Sequence, residues 1–571
     1  MKDKEKIIKE MFERGVLVSE DFLDNDNFNN EMEDKLSSEE DLLVLNSDYA
    51  QVIIEQNNLI DWNELDKHRV DLEKERNDDL YQTQLQQLKT SSFTVNNDTN
   101  NLQNINSLES ELDVQKQETN LITNLNLEDD KESEAELILK NKENASEFQD
   151  IIRSPVSVVI SYNNIPHKYT VKDFSQIFLS RYRFLESLLR NRQELNNTLS
   201  INRILNKKEK EKVSAIGLVQ NIGITKNGNV MITLEDPTGL IKVFFSNKNK
   251  DLFGDSKDLV NDEVIGVSGT SGDKIIFADN LIWPDIPTNN DLKKTECDDS
   301  AIFLSDVHYG SKVFLEEEFN KFIKWINGKT GNEKQRELAG KVKYIFIAGD
   351  LVDGIGIYPT HEKDLKYPDI YEQYEGFTNL IKQIPSDKNI IMCPGNHDLV
   401  HLAEPQNVIY EEYAKSLFQL PNVTLVTNPA LINIGKTENF SGFDVLMYHG
   451  YSFDYYVSNV ESIRNNGGYH RADLIMKFLL KRRHLAPTFG STPYFPAHKE
   501  DPLLIQKIPD FFITGHIHYS KVANYKGVTM ICGSCWQGKT DFQEKLGHEP
   551  EPARVPIVNL KTREVKILKF I

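Results

Sequence analysis

The chain has 571 residues and a formal charge of −22, with 66 Lys and Arg against 88 Asp and Glu, which is length enough for several domains and a full-sized core. The acidity is lopsided. Residues 1–150 hold 15 basic and 38 acidic side chains, and the rest hold 51 and 50, a balance that does not repel nucleic acid. Four cysteines, the polar start Met1-Lys2-Asp3-Lys4 and the lack of any apolar run of spanning length exclude a disulfide scaffold, a secreted chain and a helical membrane protein, so a soluble cytoplasmic protein is expected.

In chain order, residues 1–75 alternate apolar and charged positions with helical spacing, as at Ile7-Ile8, Met11-Phe12 and Val16-Leu17, and predict a small helical module. Residues 76–150 are rich in Gln, Asn, Ser, Thr, Asp and Glu. Such a segment cannot bury enough apolar surface to offset the entropy of ordering, so a disordered acidic linker is expected.

Residues 151–210 read as a strand at Val156–Ile160 and a helix leading into the next domain. The helix begins at Thr170, with Asp173 at capping-box spacing. Its apolar stripe is Phe174, Ile177, Phe178, Tyr182, Leu185, Leu188 and Leu189, flanked by Arg181, Arg183, Arg190 and Arg192, a flank expected to be solvated.

Residues 211–290 hold five short apolar runs separated by turn residues such as Asn227-Gly228 and Asp236-Pro237-Thr238-Gly239. These predict an all-β, OB-type barrel. Phe244, Phe245, Lys242 and Lys248 are the barrel's candidates for a single-strand-binding face, with a scaffold or subunit-contact role for the barrel as the equal alternative. Phe244 and Phe245 point to opposite sides of a regular strand, so at most one is exposed.

The most informative residues lie between 306 and 518. Asp306-Val307-His308, Gly349-Asp350-Leu351-Val352-Asp353, Gly395-Asn396-His397-Asp398, His449-Gly450 and Gly515-His516-Ile517-His518 each follow an apolar run that reads as a buried strand. Polar side chains thus gather at strand C-terminal ends, where an α/β sheet builds its ligand site. Carboxylate, amide and imidazole together suit a pair of borderline divalent ions. Mn²⁺ is expected, with Zn²⁺, Fe²⁺ or Mg²⁺ as the other candidates. Cys532 and Cys535 have redox or zinc spacing, but no second pair accompanies them, and ordinary reduced thiols are expected.

The ordered set resembles the calcineurin-like metallophosphoesterase superfamily. The resemblance implies an α/β sandwich of two sheets flanked by helices over residues 298–571. It also implies that Asp350 bridges two metal ions, with Asp306, His308 and His518 completing one shell and Asn396, His449 and His516 the other. His397 would stand over the substrate phosphate as a catalytic residue. Asp353 and Asp398 would orient imidazoles or, equally, serve as turn and helix-start residues.

An OB-type barrel ahead of such a domain resembles the small subunit of archaeal D-family DNA polymerases. So do the segments 477–493, Gly533-Ser534-Cys535-Trp536-Gln537 and Val555-Pro556-Ile557-Val558. That family implies a 3′→5′ exonuclease for proofreading, acting at the nucleoid, with DNA 3′ ends as substrate and a large catalytic subunit as partner. The N-terminal module would recruit other replication proteins. Arg464, Arg471, Lys477, Lys481, Arg482 and Arg483 are its candidate DNA-binding cations. The alternatives are a structural polymerase subunit with a vestigial site and a free-standing phosphodiesterase or phosphatase.

Overall fold

Runs rich in Val, Ile and Phe favour pleated backbone, and every run ahead of a motif is a strand. The computed structural model describes residues 155–162, 168–207, 209–496, 498–540, 543–544 and 549–571, with the dipeptides Leu17–Val18 and Val44–Leu45, which pair in parallel. These dipeptides apart, the expected module over 1–75 and linker over 76–150 lie outside the described residues.

Strand β1 (Val156–Ser161) does not belong with the barrel. It pairs antiparallel with Ala430–Ile434, as the edge of a sheet formed by much later residues. Helix α1 (Val171–Arg190) starts where its cap predicts, the Thr170 N–H donating to the Asp173 carboxylate at 2.7 Å. Ile177, Tyr182, Leu185 and Leu189 of its stripe are buried. Arg181, expected on a solvated flank, is 2 % exposed. Its guanidinium donates to Asp501 and to the Pro487 carbonyl, both at 2.7 Å.

The five runs of 211–290 form β2 (Lys212–Ile224), β3 (Val230–Asp236), β4 (Gly239–Phe245), β5 (Val264–Gly272) and β6 (Ile275–Ile282). They close a barrel in the order β2-β3-β4-β6-β5. Alternation decides which side chains fill it. Val243 and Phe245 are buried inside, whereas Phe244 lies outside and packs edge-to-face on the exposed Phe277 at 5.8 Å.

The remaining strands form two six-stranded sheets. The first contains β7 (Ser300–Leu304), β8 (Val342–Ala348), β9 (Asn389–Cys393) and β10 (Val423–Leu425) in parallel, with β16 (Arg554–Asn559) and β17 (Val565–Lys569) antiparallel beyond β7. The second has the order β14-β15-β13-β12-β11-β1. Its members are β11 (Ala430–Ile434), β12 (Phe443–Met447), β13 (Phe511–Thr514), β14 (Lys521–Tyr525) and β15 (Val528–Cys532), with β12, β13 and β15 parallel to one another.

The sheets face each other across Phe303, Phe346, Phe443 and Phe511, all buried. Phe303 lies 5.5 Å from Phe346 in its own sheet and 5.9 Å from Phe511 in the other. Helices α2 (Glu316–Ile326) and α3 (Ile370–Ile381) cover the outer face of the first sheet, and α4 (Ala472–Arg482) that of the second. Strands buried on both faces are largely apolar, and the motif residues gather beyond their C-terminal ends.

Arg181 meets a second buried partner through Asp501, which receives the Nε2–H of His484 at 3.0 Å. The His484 Nδ1 accepts the Ala486 N–H at 2.9 Å, so the neutral ring satisfies both nitrogens. Burial first, and then Arg181, push this histidine from 6.5 down to about 4. A depressed folded pKa stabilises the fold above the unfolded value and is lost on acidification, so stability should fall as pH drops from 6.5 toward 4. The loss is on the order of 3 kcal/mol. Thermal melting across that window should show a steep fall in midpoint for the natural protein and a shallower one for His484→Gln.

Candidate metal centre

The C-terminal ends of β7, β8 and β9 in one sheet and of β12 and β13 in the other open onto the same place. Asp306 and His308 follow β7, Asp350 and Asp353 follow β8, Asn396 and His397 follow β9, His449 follows β12, and His516 and His518 follow β13. Asp306, His308, Asp350, His449 and His518 are all buried. Donor atoms of Asp306, His308 and His518 lie within 4.8 Å of one another, as do those of Asp306, Asp350 and His449.

The backbone is bent to make this possible. Asp306, His308, Asp350, His516 and His518 all have φ between +50° and +71°, the left-handed region that L-residues with a Cβ avoid. Each such residue costs roughly 1–3 kcal/mol and persists where its surroundings overdetermine it. Glycine does the complementary work. A Cβ on Gly395 would stand 2.2 Å from the Asp350 Oδ1, and one on Gly349, at φ +87°, 2.3 Å from the His449 Nδ1.

Hydrogen bonds at the outer ring nitrogens aim the inner ones. His449 Nδ1–H donates to the Ala348 carbonyl at 2.8 Å and His516 Nε2–H to Asp454 at 2.8 Å. The other nitrogens, His449 Nε2 and His516 Nδ1, both face the Asn396 Oδ1, from 3.0 and 2.9 Å, and, against the lowering effect of burial, Asp350 raises His449 to about 10. His308 Nδ1–H donates to Asp353 at 3.0 Å, which turns its Nε2 toward the Nε2 of His518 at 3.1 Å. Carboxylate, amide and imidazole donor atoms gathered this closely in a buried place need positive charge among them, from ring protons or from a metal ion. The donor set therefore fits divalent metal.

Asp350 and Asp306 also accept backbone N–H groups, from His397 at 2.8 Å and from His516 at 3.0 Å. Burial alone would raise the Asp350 carboxyl, but His449 and His397 beside it hold it well below the usual range. The same opposition, with His308 and His361 as donors, lowers Asp353. His397 goes the other way. Its Nδ1–H donates to the Asp353 carbonyl at 2.7 Å, and burial pushes the ring down to about 4 against the pull of Asp350.

Asp353 thus sits where an imidazole-orienting residue belongs, whereas Asp398 does not. The Asp398 carboxyl accepts the N–H groups of Gly395 at 2.9 Å and Leu351 at 3.2 Å and the Tyr374 hydroxyl at 3.2 Å, and touches no imidazole. It ties two loops together, and burial next to Asp350 raises it to about 7.

Four residues at the site had escaped the sequence reading. His361 lies 3.3 Å from Asp353, Gln537 donates to Asp353 at 3.0 Å, the Gln543 amide lies 3.0 Å from the His518 Nδ1, and Asp454 receives His516. Only Gln537 carried a signal, as a member of a segment already singled out.

The candidate DNA-binding cations divide. Lys477 is exposed, Lys481 lies over the Trp283 ring at 3.6 Å, Arg471 pairs with Asp473 at 2.8 Å, and Arg464 donates to the Ser458 carbonyl. Arg482 and Arg483 are 3 % and 4 % exposed and cannot meet phosphate. Arg482 pairs with buried Glu263 of the barrel at 2.8 Å and packs on Phe478, while Arg483 donates to the carbonyls of Ile505 and Gln506. Cys532 and Cys535 are buried and form no disulfide, and burial pushes both thiols up to about 12.

Residues 300–520 match the calcineurin-like phosphoesterase family, the class that the sandwich and its donor set define. The DNA polymerase II small subunit of Methanothermobacter thermautotrophicus is 42% identical over 70% of this chain and 80% of its own length. That of Archaeoglobus fulgidus is 40% identical over 68% and 75%, and that of Pyrococcus furiosus 36% over 70% and 64%. The chain belongs to the family of DNA polymerase II small subunits.

Removing Arg482 leaves the buried Glu263 without its cation, held only by the Val260 N–H and the Trp283 indole N–H, a loss typically of about 3–5 kcal/mol. Arg482→Ala should therefore lower the urea unfolding midpoint while leaving the salt slope of DNA binding unchanged. A shallower slope at unchanged stability would restore this arginine as a phosphate contact.

Proposed function

We propose that this chain is the nuclease subunit of a two-subunit replicative polymerase, a 3′→5′ exonuclease that hydrolyses the phosphodiester at a DNA 3′ end for proofreading. One observation carries the reading. The donor set is complete, and five of its seven members sit in left-handed backbone, an expense that a purely structural subunit has no reason to keep. A free-standing phosphatase would have no use for the barrel ahead of the site.

Asp306, His308 and His518 would hold one ion and Asn396, His449 and His516 the other, with Asp350 shared. Two such cations, Mn²⁺ as the preferred pair, supply Lewis acidity toward a phosphoryl group. Asp353 receives the Nδ1–H of His308 and the Ala348 carbonyl that of His449, so in both rings Nε2 is the atom left to face a metal ion. His397, held down at about 4, is neutral near pH 7, with its Nδ1–H committed to a carbonyl. An arriving phosphate anion raises its proton affinity, so Nε2 can hold the proton that the leaving 3′ oxygen takes.

The domain reading follows the same lines: a phosphoesterase domain over 298–571, an OB-type domain over 211–290 joined through 151–210, and a recruiting module over 1–75 on an acidic linker over 76–150. The partner is the large polymerising subunit, the substrate is single-stranded 3′ DNA, and the setting is the cytoplasm at the nucleoid. Among the described residues no helix is long and apolar enough to cross a membrane. Lys477, Lys481 and Arg471 remain the cations available to phosphate.

Asp350→Ala should leave the fold intact by circular dichroism and lower exonuclease activity below a tenth at saturating Mn²⁺. Retention of more would reject the shared carboxylate. His397→Ala should bind both ions and lose about 10²–10⁴-fold in rate; normal metal content with unimpaired turnover would reject its role.

Deletion of residues 1–150 should leave nuclease activity and large-subunit binding within about twofold, since the site lies downstream and a charged linker acts by recruitment. Assays on single-stranded DNA at low and moderate salt check this. A large, salt-sensitive rise on truncation would mean that the acidic segment competes with DNA.

A further inference from the structure

Asn396 and His449 are presented by loops that follow strands of different sheets, β9 and β12. Backbone ladders fix distances within a sheet. They do not fix the distance between two sheets that meet only through side chains. Something else must hold these two loops at the 3.0 Å that separates the Asn396 Oδ1 from the His449 Nε2.

His449 Nδ1–H reaches the Ala348 carbonyl and the Tyr448 hydroxyl reaches Glu404, and the loops themselves are joined by two buried amides. Gln406 Nε2–H donates to the Gly395 carbonyl at 3.1 Å, directly before Asn396. The Asn428 Oδ1 accepts the His449 N–H at 2.8 Å. Asn428 Nδ2–H donates to the Gln406 Oε1 at 2.7 Å and closes the chain. Three hydrogen bonds thus run from one donor loop to the other.

Neither amide is free to turn. Gln406 N–H donates to the Asn428 carbonyl at 2.7 Å and Asn428 N–H to the Gln406 carbonyl at 3.2 Å, an antiparallel bridge that fixes both backbones. The two residues are 2 % and 0 % exposed. The Asn428 oxygen has to face the His449 N–H, because an amide NH₂ cannot accept it. Its second N–H then points to Glu404, 3.5 Å away, whose carboxyl is 1 % exposed and also accepts the Tyr448 hydroxyl at 3.1 Å.

We propose that Gln406 and Asn428 are positioning residues that clamp the Asn396 loop to the His449 loop and so preorganise the half of the site formed by Asn396, His449 and His516. The inference rests on the metal-dependent nuclease reading above. The other half, Asp306, His308 and His518, has its own supports in Asp353 and Gln543 and does not depend on the clamp.

Two near-isosteric substitutions each remove one link. Gln406→Glu takes away the donor to Gly395, and Asn428→Asp the donor to Gln406. Mn²⁺ titrations of the full-length protein, followed by calorimetry and by electron paramagnetic resonance, should show two ions in the natural chain. In either variant one ion should bind as before and the other roughly tenfold or more weakly.

At limiting Mn²⁺ the 3′-end nuclease kcat should fall by a similar factor, with KM for DNA unchanged and much of the rate recovered at high Mn²⁺. Melting temperatures measured alongside identify a variant that merely unfolds. Two ions bound with natural affinity and unchanged kcat in both folded variants would overturn the clamp, and so would equal weakening of both ions. If the natural protein itself binds no second ion, the metal-centre reading fails, a different outcome from failure of the clamp.

Discussion

Everything at the ligand end of this molecule depends on the buried Asp350 carboxylate. A carboxylate in such a place is costly unless positive charge or N–H donors face it, and Asp350 is met by the His449 ring, which it raises to about 10, and by the His397 backbone N–H. Around it the remaining donor atoms face inward. That arrangement needs positive charge among them, from ring protons or from a metal ion. The left-handed turns after β7, β8 and β13, the bare backbone at Gly349 and Gly395, and the outer hydrogen bonds of each imidazole all enforce one geometry.

The rest of the fold keeps that geometry stiff. Two sheets packed through stacked phenylalanines form a platform with low compressibility, and the strands that carry the motifs run parallel, so their C-terminal ends open on one side. Coupling between the sheets at the site itself falls to side chains. Asp398 joins the loops after β8 and β9 within one sheet, and the amides of Gln406 and Asn428 reach from that sheet's loops to His449 in the other. Each tie is buried, and a buried hydrogen-bonded tie is stiffer and more directional than apolar contact alone.

The parts legible in the sequence are those with a local physical signal. Apolar runs of strand length gave the core strands, alternation and turn residues gave the barrel, and polar residues just past each run gave the donor set. What was not legible depends on distance or on direction. Nothing local says that Val156–Ser161 pairs with residues 430–434. A helical stripe locates Arg181, Arg482 and Arg483 near its border but does not say whether a long side chain turns to solvent or inward. His361, Asp454 and Gln543 reach the site from segments without periodicity. Asp398 has the right spacing for an imidazole partner, yet the turn after β9 aims it at backbone N–H groups.

The inward arginines change how charge is allotted over the structured part of the chain. Arg181 and Arg482 each neutralise a buried carboxylate, Asp501 and Glu263, and Arg483 satisfies two carbonyls. Cations engaged in this way hold α1, the barrel and α4 together and add little to the field felt by a polyanion outside. Lys481, lying over Trp283 and 28 % exposed, is half withdrawn as well. With residues 151–571 already near neutrality, the attraction for a phosphate backbone is therefore concentrated where cations would be bound. Under the proposed nuclease function, a strand end would be recognised through its scissile phosphate more than through a broad basic surface, which suits an activity that must be indifferent to sequence.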